Sequence, residues 1–382
     1  MSVAPVRLAR VRTFVHRMAL ERPMRASFGL MDARCTLLVR VEDEDGAHGW
    51  GEVWCNWPTF GAEHRAQLIE RTLAPVAFEA SMAPDALFAA LTRRTEVLAI
   101  QTGEHGPVAQ AIGGLDMAVW DLAARRAGLP LARLLGAEAG TVLAYASGID
   151  PAELPETLPR ERARGHRRFK VKLGFGRDRD LDTLAALRDG IGGDERFMLD
   201  ANQAWTPSEA ESMTTAIARG GADPLWLEEP MRADAPDEAW RSVAAHGVRI
   251  AGGENLLGRD AFDRAIAAGA LGVIQPDAGK WGGVTGCLAV ARAAGAAGRL
   301  YCPHHLGGAV GLLAAAHLTA ASGDPRSILE MDVNPNPLRE RMATIPAMKE
   351  GTMTLPDATG LGIEPDLEAL APWLTREGKA SA

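Results

Sequence analysis

The chain has 382 residues, of which 47% are hydrophobic and 24% are charged, and its formal net charge is -8. This composition is typical of a soluble globular protein with a large core, and the acidic balance argues against a nucleic-acid-binding surface, which needs a basic face. No apolar run is long enough for a signal peptide or a membrane span. The four cysteines lack CxxC spacing, which argues against a disulfide framework or a zinc ribbon and favours a reducing cytoplasm.

The first part of the chain predicts a strand meander followed by helices. Alternating apolar residues predict strands over residues 11–15, 35–42 and 47–54. The last two strands enclose the turn sequence Asp-Glu-Asp-Gly and therefore form a hairpin. Helical spacing follows over 64–76 and 108–127, and a Gly-Leu-Pro stop at 128–130 places a domain boundary near residue 128.

From about residue 141, short apolar runs alternate with alanine-rich helical stretches, the pattern of βα units around a parallel sheet. Eight strands are predicted, over residues 142–147, 169–173, 197–200, 225–228, 248–252, 272–275, 300–302 and 327–330. Eight strands at a regular pitch, with no GxGxxG after the first, favour a closed barrel over a doubly wound sheet. The expected fold class is α/β, with a (β/α)8 TIM-type barrel over residues 129–360 and an α+β domain over 1–128, completed by 361–382.

Charged side chains follow the predicted barrel strands, one set for each βα unit. In chain order they are Lys170 with Lys172, Asp200, Glu228, Glu254, Asp277, His304 and Glu330. After Lys172 the intervals are 23 to 28 residues, so these side chains should meet at the carboxyl rim, where barrel enzymes keep their active sites. One such residue is more often a helix N-cap or a solvated loop residue, but six in succession indicate a site.

Three of these residues suggest a metal centre. Asp200, Glu228 and Glu254 could not all stay ionised close together without a cation, because like charges raise one another's pKa. Oxygen ligands favour Mg²⁺, or Mn²⁺, over Zn²⁺. A cation beside a substrate carboxylate would stabilise the charge that develops as the neighbouring carbon loses its proton.

The remaining residues provide candidate acids and bases. Lys170 and Lys172 lie two residues apart in a strand and should face the same side, so one can bind a carboxylate while the other removes the proton. We expect the pKa of Lys172 to be lowered by its neighbour and the metal. Asp277 can hold one ring nitrogen of His304 and fix its tautomer, while strand alternation turns His305 away.

These motifs resemble a known family. They are Lys170-Val-Lys172, Asp200-Ala-Asn202-Gln203, Trp226-Leu227-Glu228-Glu229-Pro230, Gly253-Glu254-Asn255, Pro276-Asp277-Ala278-Gly279-Lys280 with Gly282-Gly283, His304, and Leu329-Glu330. The sequence resembles the mandelate racemase-like branch of the enolase superfamily, in the mandelate racemase and muconate lactonizing enzyme family. Gly49-Trp50-Gly51-Glu52 is similar to a segment of that family's N-terminal capping domain, so the resemblance covers nearly the whole chain.

The resemblance implies specific roles. Asp200, Glu228 and Glu254 would bind Mg²⁺, and Lys172 and His304, oriented by Asp277, would act on opposite faces of the α-carbon. Lys170 and Asn202 would contact the substrate's carboxylate and α-hydroxyl, and Glu330 would donate a proton or hydrogen bond to the enolate. The substrate would be a small-molecule carboxylate and the enzyme a cytoplasmic homo-oligomer, with no nucleic-acid or membrane partner.

Several alternatives remain open at this point. Lys280 resembles the second base of the lactonizing branch, which leaves a lactonizing or dipeptide-epimerase type of enzyme as an alternative; otherwise it would contact substrate. Schiff-base chemistry at Lys170 or Lys172 would not require three carboxylates, and a non-catalytic barrel would lack the acid and base groups. Specificity would come from loops 22–30 and 54–61, where Arg25 and Asn56 could bind substrate. We rank dehydration of an acid sugar above racemisation or epimerisation.

Overall fold

The computed structural model describes residues 3–26, 29–138 and 140–382, without the side chains of Arg22, Arg25 and Ala26. Its strands are β1 (Leu8–Ala26), β2 (Gly29–Asp43), β3 (His48–Val53), β4 (Thr141–Ile149), β5 (Arg168–Lys172), β6 (Arg196–Asp200), β7 (Leu227–Glu228), β8 (Ile250–Gly252), β9 (Leu271–Ile274), β10 (Leu300–Tyr301), β11 (Ile328–Asp332), β12 (Met348–Lys349), β13 (Thr352–Thr354) and β14 (Leu374–Ser381).

The helices alternate with the strands from β4 onward. They are α1 (Ala62–Leu68), α2 (Ala74–Ala77), α3 (Pro84–Thr102), α4 (His105–Arg126), α5 (Leu131–Leu134), α6 (Leu154–Ala163), α7 (Arg177–Gly190), α8 (Pro207–Arg219), α9 (Asp237–Ala244), α10 (Arg259–Ala268), α11 (Gly283–Ala296), α12 (Ala309–Ala321), α13 (Pro337–Met342) and α14 (Leu367–Leu370). A π turn, Ile69–Leu73, joins α1 to α2. In the described part of the chain, no helix is both long enough and apolar enough to cross a membrane.

The N-terminal sheet is antiparallel and has the order β14-β1-β2-β3. The predicted hairpin between β2 and β3 is present, closed by the Asp43 N–H donating to the Ala47 carbonyl at 3.0 Å. Strand β3 packs so closely against α4 that a Cβ at Gly49 or Gly51 would overlap the α4 backbone. Glycine at these two positions therefore sets the depth at which β3 packs.

The barrel sheet contains all eight predicted strands, β4 to β11, in parallel. Its hydrogen-bonded order runs from β10 through β9 down to β4, and β11 pairs with the other edge of β4. Among the described residues, no ladder joins β10 to β11. Parallel register places Lys172 beside Asp200, and Asp200 beside Glu228, at one end of the sheet.

Two apolar layers support that rim. One lies between the barrel strands and the surrounding helices, and the other fills the barrel interior with residues such as Tyr145, Trp226 and Cys302. Burial raises the pKa of the Cys302 thiol to about 12, which makes this cysteine a packing residue. The side chains at the carboxyl rim therefore lie directly above a packed barrel interior.

Candidate active site

Short strands bring the acidic residues to the carboxyl rim of the barrel. Asp200 and Glu228 are the last residues of β6 and β7, and Glu254 lies two residues beyond β8. Asp200 and Glu228 are buried, and their oxygens pair with the two lysines of β5. Lys172 Nζ is 2.7 Å from Asp200 Oδ2, and Lys170 Nζ is 2.7 Å from Glu228 Oε1.

The pKa of Lys172 differs from the expectation. Burial lowers it, but the adjacent carboxylate of Asp200 raises it more, so the pKa lies above the usual value for lysine. The prediction of a lowered pKa relied on Lys170 and on a metal, and Asp200 outweighs Lys170 here. Lys172 can act as a base only if the charge of Asp200 is neutralised by another cation.

His304 and Asp277 form the predicted pair. His304 Nδ1 lies 2.7 Å from Asp277 Oδ2, and its Nε2 lies 2.5 Å from Glu254 Oε2. Burial lowers the pKa of His304, but Glu254, Glu330 and Asp277 together raise it well above its usual value. His305 turns its ring toward the Gly308 carbonyl, 3.2 Å away.

A cavity of about 1160 Å³ opens above the rim. Six of the predicted site residues border it: Lys172, Asn202, Glu254, Lys280, His304 and Glu330. The other wall comes from the β1–β2 hairpin, through Met24 and Met31, and from Trp54 and Trp57. Both segments that we expected to supply specificity therefore reach the cavity. Arg25 lies in β1, but its side chain is outside the described residues.

Three predicted site residues have partners that the sequence did not indicate. Lys170 is buried beneath the cavity, where Nζ bridges Glu228 and Glu330 at 2.7 and 2.6 Å. Burial raises the pKa of Glu330, but the charges of Lys170 and His304 lower it more. Asn56 is buried outside the cavity and donates to the Leu306 carbonyl at 2.6 Å.

Lys280 borders the cavity on the same side as His304. Its Nζ donates to Asn255 Oδ1 at 2.8 Å and lies 3.6 Å from Glu254 Oε1. The ammonium also stands over the ring of Trp54, 4.9 Å from the centroid. The structure thus brings both candidate partners of Lys172, His304 and Lys280, to Glu254.

The donor set fits a hard divalent cation. Burial, together with neighbouring negative charge, raises the pKa of Glu228 to about 7 and that of Glu229 to about 8. These raised pKa values indicate that the two lysines do not balance all the carboxyl groups of the site. Carboxylate oxygens are also the ligands that Mg²⁺ prefers. Within the described residues, no three acidic, histidine or cysteine side chains already surround a single point, because the carboxylates pair with Lys170, Lys172 and His304.

Strained backbone marks the same rim. Asn202, Gln203 and Glu229 have φ angles of 45°, 63° and 37°, a left-handed region that residues other than glycine rarely adopt. The conformation at Asn202 lets its N–H donate to Asp200 Oδ1 at 2.8 Å and its amide donate to Oδ2 at 3.2 Å. Asn202 therefore fixes the orientation of Asp200.

Sequence reasoning missed two residues of the site. Ser147, near the end of β4, borders the cavity, and its hydroxyl donates to Glu330. Gln275, just after β9, is buried and donates to Glu228 Oε2 at 2.6 Å. Both stand at the carboxyl ends of strands, and that position was the available signal for Ser147 and Gln275.

Two family models match the chain. "Mandelate racemase / muconate lactonizing enzyme, N-terminal domain" matches residues 9–136, and "Enolase C-terminal domain-like" matches residues 154–370. The chain belongs to the mandelate racemase and muconate lactonizing enzyme family of the enolase superfamily. Its fold is the TIM barrel with an N-terminal capping domain, which confirms the predicted family and fold class.

Curated members of the family are similar over nearly the full length. D-galactarolactone cycloisomerase of Agrobacterium fabrum is 32% identical over 96% of this chain and 98% of its own. 3,6-anhydro-alpha-L-galactonate cycloisomerase of Streptomyces coelicolor is 32% identical over 95% and 98%. Arabinonate dehydratase of Saccharolobus solfataricus is 27% identical over 90% and 91%. These relatives are enzymes, both lyases and isomerases, and this chain is an enzyme of the same family.

Solved structures of family members superpose closely. A mandelate racemase/muconate lactonizing enzyme from Bordetella bronchiseptica RB50 has a TM-score of 0.89 and 47% identity, covering 97% of this chain and 99% of its own. A racemase from Streptomyces coelicolor A3(2) with bound magnesium has a TM-score of 0.87 and 30% identity, covering 96% and 100%.

Proposed function

We propose that the enzyme dehydrates an acid sugar, in a Mg²⁺-dependent reaction that begins with loss of the proton next to the carboxylate. One observation carries the proposal: Lys172, His304 and Glu254 border a single cavity, directly beside two further buried carboxylates. The relatives named as dehydratases and cycloisomerases of sugar acids, and the magnesium in a 30% identical racemase, support it.

Asp200, Glu228 and Glu254 would hold the metal ion. When bound, Mg²⁺ supplies the positive charge that balances these carboxylates and stabilises the negative charge that develops on the substrate carboxylate. Lys172, whose Nζ lies 2.7 Å from Asp200 Oδ2, would take the α-proton on Nζ in its neutral form. Lys170 pairs with both Glu228 and Glu330 from below.

His304 completes the elimination. Its imidazole is oriented by Asp277, so in its protonated form it can give its proton to the departing β-hydroxyl. The carbon–oxygen bond breaks, hydroxide and that proton leave as water, and the resulting enol becomes a 2-keto acid. The α-proton stays on Lys172 until it passes to solvent.

Cycloisomerisation is a second candidate, because two relatives of that name are each 32% identical. The same proton abstraction would apply to a lactone or anhydro sugar acid whose β-oxygen is part of a ring. The leaving oxygen would then remain attached to the product, and no water would be lost. Racemisation would instead return a proton to the other face of the α-carbon.

A substrate screen separates these outcomes. The screen uses mono- and diacid sugars, their lactones and their anhydro forms, each with Mg²⁺ and, separately, with Mn²⁺. We expect a 2-keto acid to form from an open-chain acid sugar in the presence of Mg²⁺. Excess chelator should abolish turnover, and Glu254→Gln should weaken metal binding markedly, whereas Glu238→Gln on the exposed surface of α9 should not. Full activity in chelator, or products formed only from ring substrates, would contradict the dehydratase proposal.

A further inference from the structure

We propose that residues 52–56 of the capping domain position the His304–Asp277 pair, and that Glu52 and Asn56 are its principal positioning residues. The inference rests on the proposed function only in treating His304 as an acid. Glu52 closes the sequence Gly-Trp-Gly-Glu, and its buried carboxylate belongs to β3, in a different sheet from any barrel strand.

Glu52 binds the start of the helix that follows His304. Its Oε1 accepts from the Gly308 N–H at 2.5 Å and from the Thr36 hydroxyl at 2.8 Å, and its Oε2 accepts from the Gly311 N–H at 2.9 Å. Gly308 and Gly311 lie at the N-terminus of α12, a helix of 13 residues, where N–H groups and the helix dipole favour an anion. A Cβ at Gly308 would contact the Glu52 oxygens, so glycine permits the close approach.

Asn56 binds the same loop closer to His304. Its Nδ2 donates to the carbonyl of Leu306, two residues after His304, at 2.6 Å. On the barrel side the His304 N–H donates to the Pro276 carbonyl, and the His305 N–H donates to Glu330, each at 3.2 Å. The loop is thus held from the barrel on one side and from the capping domain on the other.

The same segment also contacts the loop of Asp277. The Trp54 N–H donates to the Gly279 carbonyl at 3.1 Å, and the Gly279 N–H donates to Asp277 Oδ1 at 2.8 Å. Only a void of about 10 Å³ remains between the segment and these two loops, roughly the space of one water molecule. Residues 52–56 of the capping domain therefore contact both the loop of His304 and the loop of Asp277.

Lys172 is positioned differently. It lies on β5, paired on both sides by barrel strands, and its ammonium bonds to Asp200 of β6. Loosening residues 52–56 should consequently disturb His304 and leave Lys172 in place. This asymmetry distinguishes a positioning role from a general loss of stability.

The test uses the full-length, Mg²⁺-treated protein with ¹⁵N-labelled histidine. We expect the imidazole signals of His304, assigned by their loss in His304→Asn, to shift or broaden in Glu52→Gln and in Asn56→Ala. Glu42→Gln is the matched control, because Glu42 lies in the same sheet and pairs only with arginines at the surface. Unchanged His304 signals in folded Glu52→Gln and Asn56→Ala would overturn the proposal.

A kinetic arm uses the acid sugar that the screen identifies. We expect kcat for the His304-dependent step to fall by about 10- to 100-fold in Glu52→Gln, the usual scale for residues that orient a catalytic group, with little change in KM. Exchange of the α-proton in D₂O by Lys172 should stay at the wild-type rate. Equal losses at both residues would contradict selective positioning. If no acid sugar reacts, the proposed function fails, but the imidazole signals still decide this inference. If Glu52→Gln does not fold, Asn56→Ala decides it.

Discussion

At the scale of single residues, burial and charge divide the carboxylates of the site into two groups. Glu330 and Asp200 are buried, but Lys170 and Lys172 lower their pKa below the usual value. Too little positive charge lies near Glu228 and Glu229 to offset their burial. Burial therefore raises the pKa of these two carboxyls to about 7 and about 8. A nearby cation would ionise these two adjacent carboxyls most, and we propose that a divalent cation acts at this strand end.

The two proposed acid and base groups should be separable by isotope exchange. In D₂O with an α-hydroxy acid substrate, we expect His304→Asn to lose the exchange that the neutral imidazole performs from its own face, while Lys172 still exchanges the α-proton of the opposite configuration. Lys172→Ala should show the mirror pattern. Loss of a general base typically costs about a hundred- to ten-thousand-fold in rate, so the difference is measurable by NMR.

Asp277→Asn serves as the companion variant in that experiment. We expect it to reproduce His304→Asn, because the imidazole loses the carboxylate 2.7 Å from Nδ1. Lys280→Ala tests the alternative in which Lys280, and not His304, is the second base. If that variant lost exchange on one face while His304→Asn kept both, Lys280 would be the second base and the lactonizing type of chemistry would apply.

Gln275 should contribute to metal affinity without contacting substrate. Its amide N–H holds Glu228 Oε2 at 2.6 Å, and removing such a contact to a metal-binding carboxylate typically weakens binding by about 10- to 100-fold. We expect this loss in Gln275→Met, measured by calorimetric titration with Mg²⁺. Gln110→Met is the control, since Gln110 is also buried but bonds Arg65 within the capping domain. Equal Mg²⁺ affinity in wild type and Gln275→Met would rule out this role.

At the scale of elements, the barrel strands were predictable because each is a short apolar run between helical stretches. Helix α3 was not, since it carries Val97 and Ile100 on its exposed face as well as Leu87 and Leu91 on its buried face. Apolar residues on both faces obscure the helical period on which the prediction relied.

The rim positions of the site followed from strand spacing, but the partners of those residues did not. Contacts such as Glu52 with Gly308 join residues 256 positions apart, and no periodicity encodes them. Lys170 illustrates the consequence. Its place on β5 was predicted correctly, but its ion pairs with Glu228 and Glu330 were not, because the depth of a side chain depends on tertiary packing.

Helix α12 contains a histidine whose titration should affect stability. His317 is fully buried, accepts the Ala132 N–H on Nδ1 at 3.0 Å and lies 3.3 Å from the Leu361 carbonyl through Nε2. Burial lowers its pKa from 6.5 to about 4. Because the folded value is below the unfolded one, this contribution to stability is present above pH 6.5 and is lost as the pH falls toward 4.

We expect that loss to reach about 3 kcal/mol at pH 4, and to be reduced in His317→Gln, whose amide offers one donor and one acceptor. The measurement is the change in Tm between pH 7.5 and 4.5 for wild type and variant. His64→Gln should keep the wild-type slope, because His64 is about half exposed. Parallel pH profiles for wild type and His317→Gln would show that His317 does not titrate as proposed.

At the scale of the whole molecule, buried polar contacts join the N-terminal sheet and its helices to the barrel. Asp116 of α4 accepts from the Thr285 N–H of α11 at 2.9 Å and from the Thr285 hydroxyl at 2.6 Å. Arg34 of β2 pairs with Asp332 of β11 at 2.7 Å, with both side chains almost fully buried. These contacts hold the capping domain, and with it the cavity-lining residues Met24, Trp54 and Trp57, against the barrel.

The Arg34–Asp332 pair provides the sharpest test of that connection. Arg34→Met should destabilise the fold by about 3–5 kcal/mol, because it leaves the charge of Asp332 buried with only Arg339, 3.8 Å away, to balance it. Asp332→Asn removes that charge, so the double variant should lose much less than the sum of the single losses. Denaturant unfolding measures all three, with Arg10→Met, which removes an exposed ion pair, as a control expected to cost at most about 1 kcal/mol. Losses that add to within about 0.5 kcal/mol would mean that Arg34 and Asp332 act independently, and that the capping domain is held to the barrel by its apolar contacts instead.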